Sequence, residues 1–306
     1  MRTQTGFPGR ALRIGSLLML TGLLLSSCET VIDANLDTGP TLLSVDATLT
    51  DLPGPQTIRL SLTAPYFDSQ VTPAATGATV SVTDNTGRTY AFTDPDNDGY
   101  YSWTPGSRDT LGRVGRTYQL SIAYKGETYR ASTQMNRVPP IDSLVFRKQR
   151  LNPLSNTEGY QAEFYARDLA GAPDYYRIKY YRNGTLQNRP ADLITSQDGS
   201  FRGTADTDGL QFIRPIRQSI NPDSLFALND VVRVELRSVS PAGFEFLQAV
   251  RTQLTNGGLF ATPPASLPTN VLNTRSAGPV ATGYFMASAI RTRTATVAAE
   301  NIRTTP

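Results

Sequence analysis

The sequence of 306 residues contains no histidine, the side chain that most often serves as a general base or a metal ligand near neutral pH. Histidine-dependent catalytic triads and histidine-containing zinc sites are therefore excluded. Cys28 is the only cysteine, so the chain has no disulfide framework. The chain also lacks a phosphate loop, a dinucleotide fingerprint and a Gly-x-Ser-x-Gly elbow. These absences predict a protein that is not an enzyme and needs no cofactor, although a hydrolase that uses two carboxylates stays open as a third alternative.

An excess of positive charge is also missing once the amino terminus is set aside. The whole chain has 29 basic and 26 acidic residues, a formal net charge of +3. Three arginines, at positions 2, 10 and 13, precede the first acid, so removal of residues 1–27 brings the net charge to zero. A neutral chain has no electrostatic attraction for a phosphate backbone, and we expect no nucleic-acid partner.

Residues 1–27 have the three parts of a secretory signal peptide. The basic start precedes an apolar run at 14–25, about 12 residues, which suits a signal peptide and is too short to span a bilayer. The run ends in Leu25-Ser26-Ser27-Cys28, which resembles the lipobox of bacterial lipoproteins. That resemblance implies transfer of a diacylglyceryl group to the thiol of Cys28, cleavage before it, and acylation of the new amino terminus, with fatty-acid chains such as palmitate. We therefore expect a lipoprotein signal peptide at 1–27 and a short tether at 28–40.

Beyond residue 40, apolar residues alternate with polar ones, which is typical of strands that are buried on one face. Ile58, Leu60 and Leu62 show this period, and residues that favour turns separate the successive runs. Pro139 and Pro140 interrupt the pattern, because proline cannot donate a hydrogen bond to a neighbouring strand. The predicted fold is mainly β, with two antiparallel, Ig-like β-sandwich domains at 41–137 and 141–300.

The second domain contains the one helix that the sequence predicts after the signal peptide. Ser240 followed by Pro241 is typical of a helix start, and Asn256-Gly-Gly258 is typical of a helix end, so we place the helix near 241–255. A strand is predicted at 211–216. The segments 282–289 and 292–298 are predicted to pair with each other as a closing hairpin.

The segment Asp94-Pro-Asp-Asn-Asp-Gly99 has the acid spacing with which many calcium loops begin. An EF-hand would need a glutamate at the twelfth loop position, where this chain has Pro105. Asp94, Asp96 and Asp98 are therefore predicted to form a hairpin turn, in which aspartate side chains bond to nearby backbone groups. Calcium bound by these carboxylates stays open as the alternative, because close acids repel one another unless a cation neutralises them.

The tyrosine-rich segment at 175–181 is predicted to be a strand with two different faces. One face is predicted to enter the core and consists of Tyr176, Ile178 and Tyr180. The opposite face combines aromatic and cationic side chains, which are frequent in binding surfaces. We predict that it contacts a ligand or a partner, and it consists of Tyr175, Arg177, Lys179 and Tyr181.

Several motifs together resemble one protein family. They include the lipobox cysteine, Asp98-Gly-Tyr-Tyr101 and Gly283-Tyr-Phe-Met-Ala287, together with the segments 31–33, 43–50, 118–122, 126–129 and 140–143. These stretches resemble the Bacteroidota outer-membrane lipoprotein family catalogued as domain of unknown function 4249, over roughly 29–300. The resemblance implies two β-rich domains and a location in the outer membrane, and members are commonly encoded near TonB-dependent receptors. It implies no catalytic residue.

The combined prediction is a lipid-anchored binding protein that is accessory to a TonB-dependent receptor of the outer membrane in uptake. The lipid on Cys28 would hold it to the membrane, at either the periplasmic or the cell-surface face. The alternative from another class is a structural or adhesive surface lipoprotein built from the same sandwiches.

Overall fold

The computed structural model describes residues 39–64, 72–106, 110–256 and 266–303. Contacts divide the chain into a unit at Met1–Gly39 and a compact unit at Pro40–Pro306, which contains every strand described. In chain order the strands are β1 (Leu43–Thr50), β2 (Gln56–Leu62), β3 (Thr79–Asp84), β4 (Thr89–Phe92), β5 (Tyr100–Trp103), β6 (Thr117–Tyr124), β7 (Glu127–Gln134), β8 (Ile141–Arg150), β9 (Glu158–Ala166), β10 (Tyr175–Arg182), β11 (Thr185–Leu186), β12 (Ile194–Gln197), β13 (Val231–Val239), β14 (Leu272–Asn273), β15 (Ala281–Ser288), β16 (Ile290–Thr296) and β17 (Ile302–Arg303). The helices are α1 (Arg214–Arg217) and α2 (Pro241–Thr255), and 3-10 turns lie at Pro190–Asp192, Ala205–Thr207 and Ala299–Asn301.

The first sandwich consists of two sheets with the strand orders β15-β1-β2-β5 and β14-β7-β6-β3-β4. Alternate side chains of each strand point between the two sheets, as the period of two predicts. In β1 these are Val45, Ala47 and Leu49, each at most 1 % exposed. In β6 they include Tyr118 and Ile122, which are fully buried.

The second sandwich packs the sheet β11-β10-β13-β16, with β12 also paired to β10, near the sheet β17-β8-β9. Its core is rich in aromatic rings that meet edge to face, an arrangement that ring quadrupoles favour. Phe164 lies 6.0 Å from Phe212, and Phe146 lies 6.3 Å from Phe226, between ring centroids. The predicted mainly β fold with Ig-like sandwiches is therefore confirmed.

The predicted closing hairpin is wrong. β15 pairs in parallel with β1, with Phe285 opposite Ala47, whereas β16 pairs antiparallel with β13. Only Ala289 separates the two strands, so the chain passes directly from the first sandwich into the second. A period of two indicates which side chains face inward, but it does not indicate which strand lies alongside.

The carboxyl-terminal part of the chain crosses the predicted domain boundary at 138–140. β14 and β15 belong to the predicted second domain, yet they complete both sheets of the first sandwich. The two predicted segments therefore share sheets instead of forming separate sequence blocks. Hydrogen bonds fasten the crossing point: Ser238 Oγ donates to the carbonyl of Asn136 at 2.8 Å, and Asn136 Nδ2 donates to the carbonyl of Val239 at 3.0 Å.

The predicted helix is confirmed as α2, and the hydroxyl of Ser240 accepts a hydrogen bond from the backbone nitrogen of Gly243 at 3.1 Å. The predicted strand at 211–216 is wrong, because the chain turns there into the short helix α1. Pro215 lies in the first turn of α1, where proline fits without losing a hydrogen bond. Within the described ranges, no helix is long and apolar enough to cross a membrane.

Candidate functional site

The tyrosine-rich segment forms β10, a central strand of the second sandwich. Its predicted core face is confirmed: Tyr176, Ile178 and Tyr180 are fully buried. The hydroxyl of Tyr180 donates to Asp192 at 2.8 Å, so the polar end of this buried ring has a partner. The opposite face is half-buried along its whole length and consists of Tyr175, Arg177, Lys179 and Tyr181.

Helix α2 covers one end of that opposite face. The ring centroid of Tyr175 lies 5.2 Å from that of Phe244 on α2, and Phe246 stacks on Tyr284 of β15 at 4.5 Å. These residues belong to a second, smaller core that also contains Leu247. Tyr175 is therefore a packing residue beneath the helix, which corrects the prediction that it lies on a partner surface. The sequence did not indicate where the helix docks.

The remaining part of this face lies beside β13, and we call it the cationic face. Cross-strand register places Arg177 opposite Arg237, Lys179 opposite Glu235, and Tyr181 opposite Arg233. The cationic face is defined by these six residues: Arg177, Lys179, Tyr181, Arg233, Glu235 and Arg237. Glu235 is buried and is the only carboxylate among the six residues.

Glu235 is already neutralised by the arginines of its own strand. Arg237 donates from Nε and a terminal nitrogen to one carboxylate oxygen, at 3.0 and 2.7 Å. Arg233 lies 3.5 Å from the other oxygen, and its guanidinium carbon lies 3.8 Å from the ring centroid of Tyr181. Two of the four cations therefore have partners within the face.

Arg177 and Lys179 are left without a hydrogen bond or an ion pair among the residues that the structure describes. The Nε of Arg177 is buried without a hydrogen-bond partner. Burial lowers the pKa of Arg177, and Arg237 lowers it further. Burial, followed by the charges of Arg237 and Arg177, lowers the pKa of Lys179 to about 8, while Glu235 and Asp46 act in the other direction. The two side chains therefore form a positive site that has no direct ion pair with the described residues.

The acidic segment at 94–99 forms the predicted hairpin turn, which an antiparallel bridge between Thr93 and Ser102 closes with backbone hydrogen bonds of 3.0 and 2.8 Å. β4 lies in one sheet of the first sandwich and β5 in the other. The carboxylate of Asp94 accepts hydrogen bonds from the backbone nitrogens of Asp98 at 3.2 Å and Gly99 at 3.0 Å. Asp98 accepts one from the backbone nitrogen of Tyr100 at 2.9 Å. Two of the three carboxylates, Asp94 and Asp98, thus hold the backbone of the turn.

Asp96 of this segment makes no such bond within the described part of the chain. In the same described part, no three acidic, histidine or cysteine side chains are placed to hold a metal ion together. Cys28, the predicted lipidation site, lies outside the described residues.

Sequence reasoning missed a group of buried acids beside β10. Asp168, Asp174 and Asp198 are each at most 5 % exposed. The hydroxyl of Tyr176 donates to Asp168 at 2.5 Å, and Arg137 donates from Nε to both oxygens of Asp174 at 3.1 and 2.9 Å. Desolvation raises the pKa of Asp168 and of Asp174. The sequence offered one signal for this group, the position of each acid near the end of a strand. A carboxylate at such a position can accept hydrogen bonds from the adjoining loop.

A groove of about 590 Å³ lies on the outer face of the sheet β14-β7-β6-β3-β4. It is open to solvent and is bordered by the segment that carries β14, including Asn270 and Asn273. Arg130 and Gln119 contribute the longer polar side chains. No predicted site residue lies in this groove.

Comparison with known proteins gives one family and a distant structural likeness. No curated protein matches the chain. A crystal structure of the FN1-FN3 domains of chicken CNTN1 aligns with 10 % sequence identity and a TM-score of 0.22, and the alignment covers 64 % of this chain and 60 % of that one. The family described as "Domain of unknown function (DUF4249)" matches residues 29–294. Because that match covers most of the sequence, the chain belongs to the DUF4249 family.

Proposed function

We propose that the protein is a lipid-anchored binding protein of the outer membrane that acts as an accessory of a TonB-dependent receptor in uptake. The observation that carries a binding role is the cationic face. Arg177 and Lys179 are half-buried there and form no hydrogen bond or ion pair with the described residues, beside a tyrosine that is stacked on Arg233. Arginine and tyrosine side chains that are already held in place are the groups that most often dominate binding energy.

Binding is favoured over catalysis by what the buried acids do. A carboxylate-dependent hydrolase needs two carboxyl groups that face each other across a substrate cleft. Asp84 instead accepts from Arg116 at 2.6 Å, Asp192 accepts from Arg189 at 2.8 Å, and Asp174 pairs with Arg137. These acids hold turns and strand ends, which is a structural role.

The shared strands support an accessory role for the same unit. A protein that presents one surface to a membrane partner benefits from a rigid body, because less conformational entropy is lost on binding. β15 belongs to the first sandwich and β16, one residue later, to the second, and α2 packs on β10 and β15 together. The orientation of the cationic face is therefore tied to the sandwich that follows the predicted tether.

Affinity purification of the tagged, processed protein from gently solubilised outer membranes tests the proposal. We expect a TonB-dependent receptor to be recovered, and we expect recovery to fall at least severalfold for the double variant Arg177→Gln, Lys179→Gln. Arg293→Gln is the matched control, because Arg293 is exposed on β16 of the same sheet. If no membrane protein co-purifies above an unrelated lipoprotein, the accessory role is wrong and the adhesive alternative takes its place.

A further inference from the structure

The cationic face carries more positive than negative charge among the residues that the structure describes. Four cationic side chains meet there, at positions 177, 179, 233 and 237, and two carboxylates act on them, Glu235 and Asp46. Asp46 lies on β1 of the first sandwich, in cross-strand register with Arg59. Within the described ranges, two of the four positive charges, those of Arg177 and Lys179, have no direct ion pair.

The two unpaired groups have complementary binding properties. Arg177 and Lys179 are two residues apart on β10, so their side chains leave the same face about 7 Å apart. A guanidinium presents a planar fork of donors, and an ammonium acts as a compact point charge. A single carboxylate is satisfied by the fork of an arginine alone, whereas an arginine and a lysine together match a tetrahedral dianion.

We propose that Arg177 and Lys179 form a binding site for a dianionic oxyanion, namely the phosphate or sulfate group of a ligand. The proposal uses the surface on which the proposed function rests, and it adds the chemical class of the ligand. Arg237 stays paired with Glu235 and orients the site from the neighbouring strand. Tyr181, held beneath Arg233, forms the wall at the far end from α2.

Titration of Lys179 gives the site a pH dependence. Only the ammonium form attracts an anion, so affinity is highest below the pKa of Lys179, about 8, and is lost as the pH rises above it. The charged groups that face Lys179 are Arg177 on its own strand, Arg237 and Glu235 on β13, and Asp46 on β1.

Titration calorimetry of the soluble protein from residue 40 onward, with sodium sulfate as the ligand, tests the site. Sulfate stays dianionic throughout, so any pH effect belongs to the protein. We expect saturable binding at pH 7 that weakens about thirtyfold at pH 9.5 as Lys179 loses its proton. Lys179→Gln should lose binding, and Lys179→Arg should bind with the pH dependence removed. Arg293→Gln, the control on β16, should bind like the unchanged protein.

Two further arms identify the source of the oxyanion. Inorganic phosphate tests a free solute, and vesicles that contain phosphatidic acid, compared with pure phosphatidylcholine, test a lipid headgroup. Binding in either arm that Lys179→Gln abolishes supports the site. Absence of saturable sulfate and phosphate binding at pH 7, or equal affinity for Lys179→Gln and the unchanged protein, overturns it. Recovery of the receptor without anion binding would leave the accessory role standing and remove only this site.

Discussion

The strand β15 gives the sharpest test of how the chain is organised. Phe285 lies on β15, near the carboxyl end of the chain, yet its fully buried ring fills the core of the first sandwich opposite Ala47 of β1. Phe285→Ala removes the whole ring from a site that two sheets enclose. Such a deletion costs about 3–5 kcal/mol, the sum of lost transfer free energy and the cavity left behind.

The fluorescence of Trp103 reports the unfolding of the first sandwich, because Trp103 is the only tryptophan in the sequence and lies on β5 of that sandwich. The indole ring lies 5.2 Å from Tyr90, edge to face, so unfolding of this sandwich changes its fluorescence. In urea, with a slope of about 3 kcal/mol per molar, Phe285→Ala should lower the unfolding midpoint by about 1–1.7 M. Thr282→Ala, on the outer face of the same strand, should change the unfolding free energy by less than about 0.5 kcal/mol.

A second substitution asks whether the two sandwiches unfold together. Leu236 is fully buried on β13 of the second sandwich, and Leu236→Ala should cost about 2–5 kcal/mol. Because only Ala289 separates β15 of the first sandwich from β16 of the second, the Trp103 transition should move for this variant also. If Phe285→Ala leaves the tryptophan transition in place, β15 does not belong to the first sandwich. If the tryptophan transition moves for Phe285→Ala but not for Leu236→Ala, the two sandwiches unfold separately.

Three further predictions concern a buried acid, a glycine and the lipid. Burial raises the pKa of Asp84, but hydrogen bonds led by those of Thr86 outweigh burial and lower the pKa. The stabilisation by the Asp84 carboxylate is therefore present above about pH 4 and lost as the pH falls. Asp84→Asn should flatten the fall in melting temperature between pH 6 and 2, and an unchanged slope would contradict this. Gly283→Ala should prevent stable folding or lower the free energy of unfolding by more than about 4 kcal/mol, because φ is +91° and the new methyl group would meet the carbonyl of Val45. Gly87→Ala is the control: φ there is +88° but the space is open, and the free energy of unfolding in thermal melts should fall by only about 1–2 kcal/mol. Mass spectrometry of the mature amino terminus should find an acylated Cys28, and membrane retention of Cys28→Ala would refute lipid anchoring.

The elements themselves were largely predictable from local chemistry. Ser240 and Pro241 predict the start of α2, because a hydroxyl can accept a backbone hydrogen bond and proline fits the first helical turn. The alternation at 175–181 predicts which side chains of β10 enter the core. The family resemblance, from short motifs spread along the chain, is confirmed over residues 29–294.

The cationic face was only half predictable. The alternation along β10 placed Arg177, Lys179 and Tyr181 on one face, but their neighbours come from β13, more than fifty residues later in the chain. The pairing of Glu235 with Arg237, which leaves Arg177 and Lys179 unpaired, follows from register between these strands. Register depends on the packing of the whole sandwich, which a single segment does not contain.

The sequence by itself determined the class of elements, the inward faces of most strands and the limits of α2, because backbone preferences and side-chain periodicity are local properties. Only the tertiary structure decided that β15 joins β1, that β16 joins β13 and that α2 lies over Tyr175. Every strand offers the same donors and acceptors along its edges, so the partner is selected by which core its apolar face fills. For β15 that core is the first sandwich, where Phe285 is buried, and this long-range choice ties the two sandwiches into one body.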